Sequence, residues 1–196
     1  MITNWSPIIG TQPPPTLDRD GESCAVFGQG HQYRYLLSRP VPRLLHGPRI
    51  GSLLVCALNP SKAGASDDDQ TVKKLRVFAK RLGASELIVV NLFAYISTKS
   101  KGLHTPRDPV GPLNDLVIRE AVTSLQPNSR TVVAWGSHTM VTTGRVAHVM
   151  RLLPKELWCW GVTRNGDPRH PSRIAYETPL VRWHWGLVDE AGGVRQ

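Results

Sequence analysis

The chain has 196 residues, 40% hydrophobic and 20% charged, which suits one ordinary folded domain rather than a disordered or fibrous protein. Its formal charge of +9 points to a polyanionic partner, nucleic acid first, with a merely solvated basic surface as the plainer reading. No apolar run of about 18 residues is present, so no membrane-spanning helix is expected, and no secretory signal is legible at the N-terminus. Cys24, Cys56 and Cys159 form no C-x-x-C pair, which argues against zinc or iron–sulfur sites and for buried thiols in a reducing, cytoplasmic setting.

In chain order, residues 1–20 carry Pro13-Pro14-Pro15 and little periodicity, and read as a flexible arm; residues 21–196 read as a single domain. Residues 24–27 and 32–37, around Gly28-Gln29-Gly30, read as a hairpin. A basic, proline-containing connector leads into a buried strand at 52–58. A polar loop over 61–69 then precedes a helix in which Val72, Leu75, Phe78, Ala79 and Leu82 recur at helical spacing. Asp69 or Thr71 caps it, Gly83 ends it, and Lys73, Lys74, Arg76, Lys80 and Arg81 lie on its other face. A second buried strand spans 86–92, a continuous apolar run suited to a parallel sheet covered on both faces. A long loop over 94–112 carries Lys99, His104 and Arg107 and is of a kind that tends to be functional or mobile. Further on come a helix at 114–125, a strand at 131–135 ended by Gly136, a helix within 137–153 weakened by Gly144, and a strand at 157–162. The tail carries Trp183, His184 and Trp185. Alternating strands and helices predict a layered α/β fold with a mostly parallel sheet.

Several chemical signatures are absent: no phosphate loop, no dinucleotide fingerprint, no G-x-S-x-G elbow, and no histidines at metal spacing. Two segments stand out instead. Leu58-Asn59-Pro60-Ser61 and Arg169-His170-Pro171-Ser172 each follow a strand-like run, where open α/β sheets place their sites. Asn91 interrupts an apolar strand and must satisfy both its amide donors and its carbonyl. It reads either as a structural asparagine bonded to nearby backbone or as a reader of a planar heterocycle. Asp67-Asp68-Asp69 reads either as a solvated helix N-terminus, where carboxylates offset the macrodipole, or as a cluster with a chemical role.

The order Leu58-Asn59-Pro60, then Asn91, then Ala134-Trp135-Gly136, then His170-Pro171-Ser172 resembles the uracil-DNA glycosylase superfamily. Those enzymes carry a G-x-[DN]-P motif after the first strand and an H-P-S-type motif after the last. Tyr33-Arg34-Tyr35, Leu58-Asn59-Pro60-Ser61, Asp68-Asp69-Gln70-Thr71, the run from Asp108 through Asn114-Asp115, and Arg169-His170-Pro171 also resemble an uncharacterised family of bacterial and phage domains. With the element order, the resemblance implies a three-layer α/β/α fold with a mostly parallel four-stranded central sheet, plus the N-terminal hairpin.

The resemblance implies that Asn59 orients the attacking water, since asparagine cannot take a proton; the acidic run 67–69 separately offers Asp68 as a candidate base. It implies that Asn91 reads the flipped base and that His170 faces the oxygen that gains charge. Ser61, Phe93 and Asp69 fall with Asn91 in the base pocket. Pro171, Ser172 and Arg173 would wedge into the duplex, with Arg169 and Lys62 on phosphate. The strict uracil enzymes place a tyrosine where this chain has Ser61, which implies a pocket open to a larger, 5-substituted pyrimidine; their glycine before [DN]-P is also replaced, by Ala57-Leu58. The implied activity is that of a monofunctional DNA glycosylase that leaves an abasic site in double-stranded DNA, in anti-phage defence or the handling of hypermodified phage DNA. No cofactor, metal, membrane or obligate protein partner is implied. The alternatives are a non-catalytic DNA-binding module of the same fold and an enzyme acting on free nucleosides or nucleotides.

Overall fold

Residues 53–56 read Leu-Leu-Val-Cys, and all four side chains are buried. Alternation sends Leu53 and Val55 into one apolar cluster and Leu54 and Cys56 into another on the opposite side of the strand. A strand buried on both faces belongs at the centre of a sheet. The computed structural model, which describes residues 14–42, 46–98 and 100–184, places it there.

The strands are β1 (Thr16–Asp20), β2 (Ser23–Phe27), β3 (Arg34–Pro40), β4 (Ile50–Ala57), β5 (Ala84–Asn91), β6 (Arg130–Val133), β7 (Trp158–Cys159) and β8 (Val181–Arg182). They form one sheet in the order β1-β2-β3-β5-β4-β6-β7-β8. β4 pairs in parallel with β5 and β6, and β6 with β7. The four remaining pairings, β1–β2, β2–β3, β3–β5 and β7–β8, are antiparallel. This corrects the expected four-stranded, mostly parallel three-layer arrangement: the sheet has eight strands, is mixed, and more of its pairings are antiparallel than parallel. The hairpin does not stand apart from the sheet but joins it through β3 and β5, with Leu37 opposite Val89.

The expected arm is corrected where it can be followed. Thr16–Asp20 is the edge strand β1, paired with β2 from Thr16–Phe27 to Asp20–Ser23; residues 1–13 lie outside the described residues. Asp18, Arg19 and Asp20 keep this edge charged, which discourages pairing with another chain.

Among the described residues, three α-helices pack on the sheet. α1 (Gln70–Arg81) buries Val72, Leu75, Phe78 and Ala79 in the cluster that holds Leu53 and Val55. Each large side chain so buried contributes roughly 1.5–3 kcal/mol. Asp69 caps the helix, its Oδ1 accepting the Val72 N–H at 2.9 Å. α2 (Asn114–Thr123) and α3 (Thr143–Met150) pack into the cluster that holds Leu54 and Cys56. α3 is shorter than its expected span because Thr142 caps it, leaving residues 137–142 as turns. All three cysteines are buried and free. Trp183 packs edge-on against Trp135 at 5.4 Å, while Lys99 and Trp185 lie outside the described residues. No helix among the described residues is long and apolar enough to cross a membrane.

Candidate functional site

The parallel strands β4, β5 and β6 end side by side, and the chain leaves each through a polar residue or a glycine. After β4 comes Asn59. Its Nδ2 donates to the carbonyls of Pro60 and Ser97, both at 2.9 Å, so the amide nitrogen is spent and Oδ1 remains as the acceptor. At the end of β5 stands Asn91, 1% exposed, whose Nδ2 is buried with no protein partner. Its main chain is held from behind: Asn114 Nδ2 donates to the carbonyls of Asn91 (3.0 Å) and Leu92 (3.2 Å), and Arg145 Nε donates to the Leu92 carbonyl at 2.8 Å. Asp115 pairs with Arg145 at 2.8 Å and so holds that guanidinium in place.

After β6 the chain turns at Gly136, with φ of +71°. A Cβ on this residue would lie 3.1 Å from the Cβ of His170, so the glycine serves both the turn and the close approach of the last loop. His170 Nδ1 accepts the Ser172 N–H at 3.3 Å and contacts Ser172 Oγ at 2.8 Å. A ring nitrogen that accepts carries no proton, so the proton of the neutral ring sits on Nε2. Burial lowers the His170 pKa, Arg173 lowers it further, and Asp69 opposes them. A neutral imidazole with one N–H to donate results.

Asn59, Asn91 and His170 line one cleft of about 710 Å³, together with Ser61, Asp69, Trp135, Arg169, Ser172 and Arg173. Its back wall is the first two turns of α1, through Thr71, Val72 and Leu75. Ser61 also lines a second, more open groove with Arg19, Phe27, His31 and Lys62, in which the Phe27 and His31 rings stack at 4.5 Å. Ser61 is thus common to the linings of the cleft and of that groove. Ser137 and His138 also line the cleft, and His104, from the long loop, has its ring 5.9 Å from that of His138.

Four of the expected site residues stand elsewhere. Asp68 does not line the cleft; Arg39 Nε and Arg76 Nη1 occupy its two oxygens at 2.7 and 2.8 Å. Burial alone would raise its pKa, but the Arg76 and Arg39 guanidinium groups outweigh burial and hold the carboxyl below its ordinary range. It is an ion-pair anchor. Phe93 packs into the cluster under α2 and α3, away from the cleft, because β5 ends at Asn91 and the chain turns before residue 93. Pro171 is buried at the start of a single helical turn, so it is not a protruding wedge. Lys62 is exposed on the second groove. Arg169 and Arg173 are exposed at the rim, with Arg169 Nε donating to the Val162 carbonyl at 3.0 Å.

Sequence reasoning assigned no role to Arg34, which lines the cleft and is 2% exposed. An arginine inside the otherwise apolar stretch 33–37 was the available signal. Trp135, 2% exposed, is the aromatic surface of the cleft; its position closing the third strand was noted without a role. Among the described residues, no group of three or more His, Cys, Asp or Glu side chains is placed to hold a metal ion.

No curated protein and no solved structure matches the chain. A family profile described as "Protein of unknown function (DUF1643)" matches residues 34–172, a stretch that begins at Arg34 and ends at Ser172 and so includes Asn59, Asn91 and His170. With well over half its length matched, the chain belongs to the DUF1643 family.

Proposed function

We propose that the protein is a monofunctional DNA glycosylase, acting in the cytoplasm on a base extruded from double-stranded DNA. The observation that carries this reading is the convergence of Asn59, Asn91 and His170, from three separate stretches of chain, on one cleft. Their free functional groups complement one another. Asn59 Oδ1 can accept from a water and orient it. Asn91 Nδ2 offers a buried donor to a base carbonyl. His170 Nε2–H offers a second donor without carrying charge. In hydrolysis the bond from sugar C1′ to the base nitrogen breaks, water adds to C1′, and the base leaves. With Asp68 held in ion pairs, no carboxylate base is assigned, and rate acceleration comes from stabilising the departing base and positioning the water.

The small Ser61 side chain in the cleft lining, with a second groove on which the same residue borders, supports a substrate with a substituent on the pyrimidine ring. Modified phage DNA is the substrate class this favours. Exposed Arg164, Arg169, Arg173 and Lys62 are the groups proposed to meet phosphate. The test is alkali-revealed strand cutting on unmodified, uracil-containing and modified phage genomes. Wild-type protein should cut at least one of the latter two. Asn59→Ala and His170→Ala should abolish cutting while each variant still retards the DNA in a gel. Retardation with no cutting by the wild type on any genome would favour a non-catalytic binding module; variants that lose both properties would assign these residues to folding.

A further inference from the structure

β3 carries two buried arginines, each 2% exposed, and their surroundings differ sharply. Arg39 is fully engaged. Its Nε meets Asp68 Oδ1 at 2.7 Å, its Nη1 donates to the Ser38 carbonyl at 2.9 Å, and its Nη2 donates to the carbonyls of Gly64 and Asp67. It ties down the loop before α1. Among the described residues the Arg34 guanidinium makes one hydrogen bond, from Nη1 to the Ala63 carbonyl, and its buried Nε has no partner. No ion pair holds it among the described residues; Asp69 acts on it only through space, and the Oδ1 of that residue is already committed to the cap of α1. A buried charge with an idle donor costs free energy unless something completes it. Burial lowers its pKa to about 10, which leaves it charged at neutral pH.

Arg34 lines the same cleft as Asn91, whose Nδ2 is the other buried side-chain donor there without a partner. Among the described residues it is the one buried cation of the cleft, since Arg169 and Arg173 are exposed. We propose that Arg34 is the counter-ion for negative charge borne on the ring oxygens of a base in the cleft, with Asn91 fixing the ring that carries it. The proposal rests on the glycosylase reading and deepens it. When the C1′–N bond breaks, its electron pair leaves with the base and spreads onto the ring carbonyl oxygens. Arg34 neutralises that charge by attraction and hydrogen bonding, with no proton transfer. The water oxygen bonds to C1′ and loses a proton to solvent, and the base anion takes a proton from solvent on release. Neutral His170 supplies a donor but no charge, so the two roles are distinct. The charged and titratable groups around this arrangement are Asp69 at the cap of α1, Arg39 on the same strand, His138 after β6, and Arg169, His170 and Arg173 from the last loop.

The test is calorimetric titration of the full chain with free 5-fluorouracil and with uracil, at neutral and mildly alkaline pH. The ring N–H of 5-fluorouracil ionises in that range, where Arg34 stays charged, whereas uracil, a weaker acid, stays largely neutral. Wild-type protein should bind 5-fluorouracil about tenfold more tightly in the alkaline buffer, and uracil no more tightly. Arg34→Gln should remove the alkaline gain yet still bind neutral uracil, and Arg34→Lys should keep part of it; thermal melts establish that each variant is folded. Should Arg34→Gln fail to fold, the wild-type comparison and the lysine variant still decide. Equal affinity for ionised and neutral ligand in the wild type overturns the proposal, as does an alkaline gain that survives in Arg34→Gln. An alkaline gain without base release from any DNA would sink the glycosylase reading alone. Failure to bind either base overturns the proposal, while the cutting assay alone decides the glycosylase reading.

Discussion

His170 works as a neutral donor because of where it sits. Burial and Arg173 lower its pKa below the ordinary value of 6.5, and Asp69 only partly offsets them. In the unfolded chain the imidazole binds a proton near 6.5, so between that pH and the lower folded value the unfolded state holds more protons. The stability contribution is therefore complete above about pH 6.5 and is lost as pH falls below it. Base removal should stay level through neutral pH and decline along an acid limb centred below 6.5; a limb centred above that value contradicts the assignment. Asp68 offers a contrast. With both oxygens in ion pairs and the carboxyl depressed, its contribution is present above its ordinary pKa of 3.8 and is lost as pH falls through the folded value. Asp68→Asn should cost about 2–4 kcal/mol of stability in denaturant titration by stranding buried Arg39, while the folded variant still removes base. Asn59 and Asn91 were legible in the sequence because each stands at the end of an apolar run or just beyond one, and His170 because a proline and a serine follow it in a loop after the last expected strand. Which of three adjacent aspartates would meet Arg39 was not, because that partner lies 29 residues earlier and only the tertiary fold selects Asp68. Phe93, placed in the base pocket by the resemblance, packs in the core instead, because the strand stops at Asn91 and the chain bends before residue 93.

The end of β5 is the element on which the cleft depends. α2 and α3 each send one side chain to it, Asn114 to the carbonyls of Asn91 and Leu92 and Arg145 to that of Leu92. Asn114→Ala would leave the buried Asn91 carbonyl without that donor and should cost about 1–3 kcal/mol. Because Asn91 would lose its fixed direction, base removal should fall further than DNA retardation does. Equal losses in both assays would mean that Asn114 only supports the fold. α1 was readable from its apolar spacing, its acidic cap and the glycine after it, since those signals are local. β1 and β8 were not. Thr16–Asp20 and Val181–Arg182 are largely exposed and polar, and they become strands through backbone pairing with β2 and β7, which leaves no hydrophobic pattern to read. The expected strand over 157–162 contracts to Trp158–Cys159 because Val162 bridges to Pro168 instead, which brings the chain round toward His170.

At the scale of the molecule, the parallel strands β5, β4, β6 and β7 lie inside a larger mixed sheet, and the cleft opens at the carboxyl ends of β4, β5 and β6. The site's position follows from that local parallel order, although the architecture expected around it was wrong. The antiparallel strands add what the resemblance did not contain: β3 brings Arg34 into the cleft, and β1 and β2 contribute Asp18, Arg19 and Phe27 to the groove that shares Ser61 with it. A charge of +9 is compatible with a DNA partner but names no base, so substrate identity has to come from the contents of the cleft. The most direct measurement is chromatography of the small molecules released when the purified 196-residue chain is incubated with phage genomes carrying 5-substituted pyrimidines. A free modified base, appearing in step with abasic sites and absent with Asn59→Ala, is the predicted result. Genomes that remain intact, with no base released under conditions where the protein binds them, would contradict it.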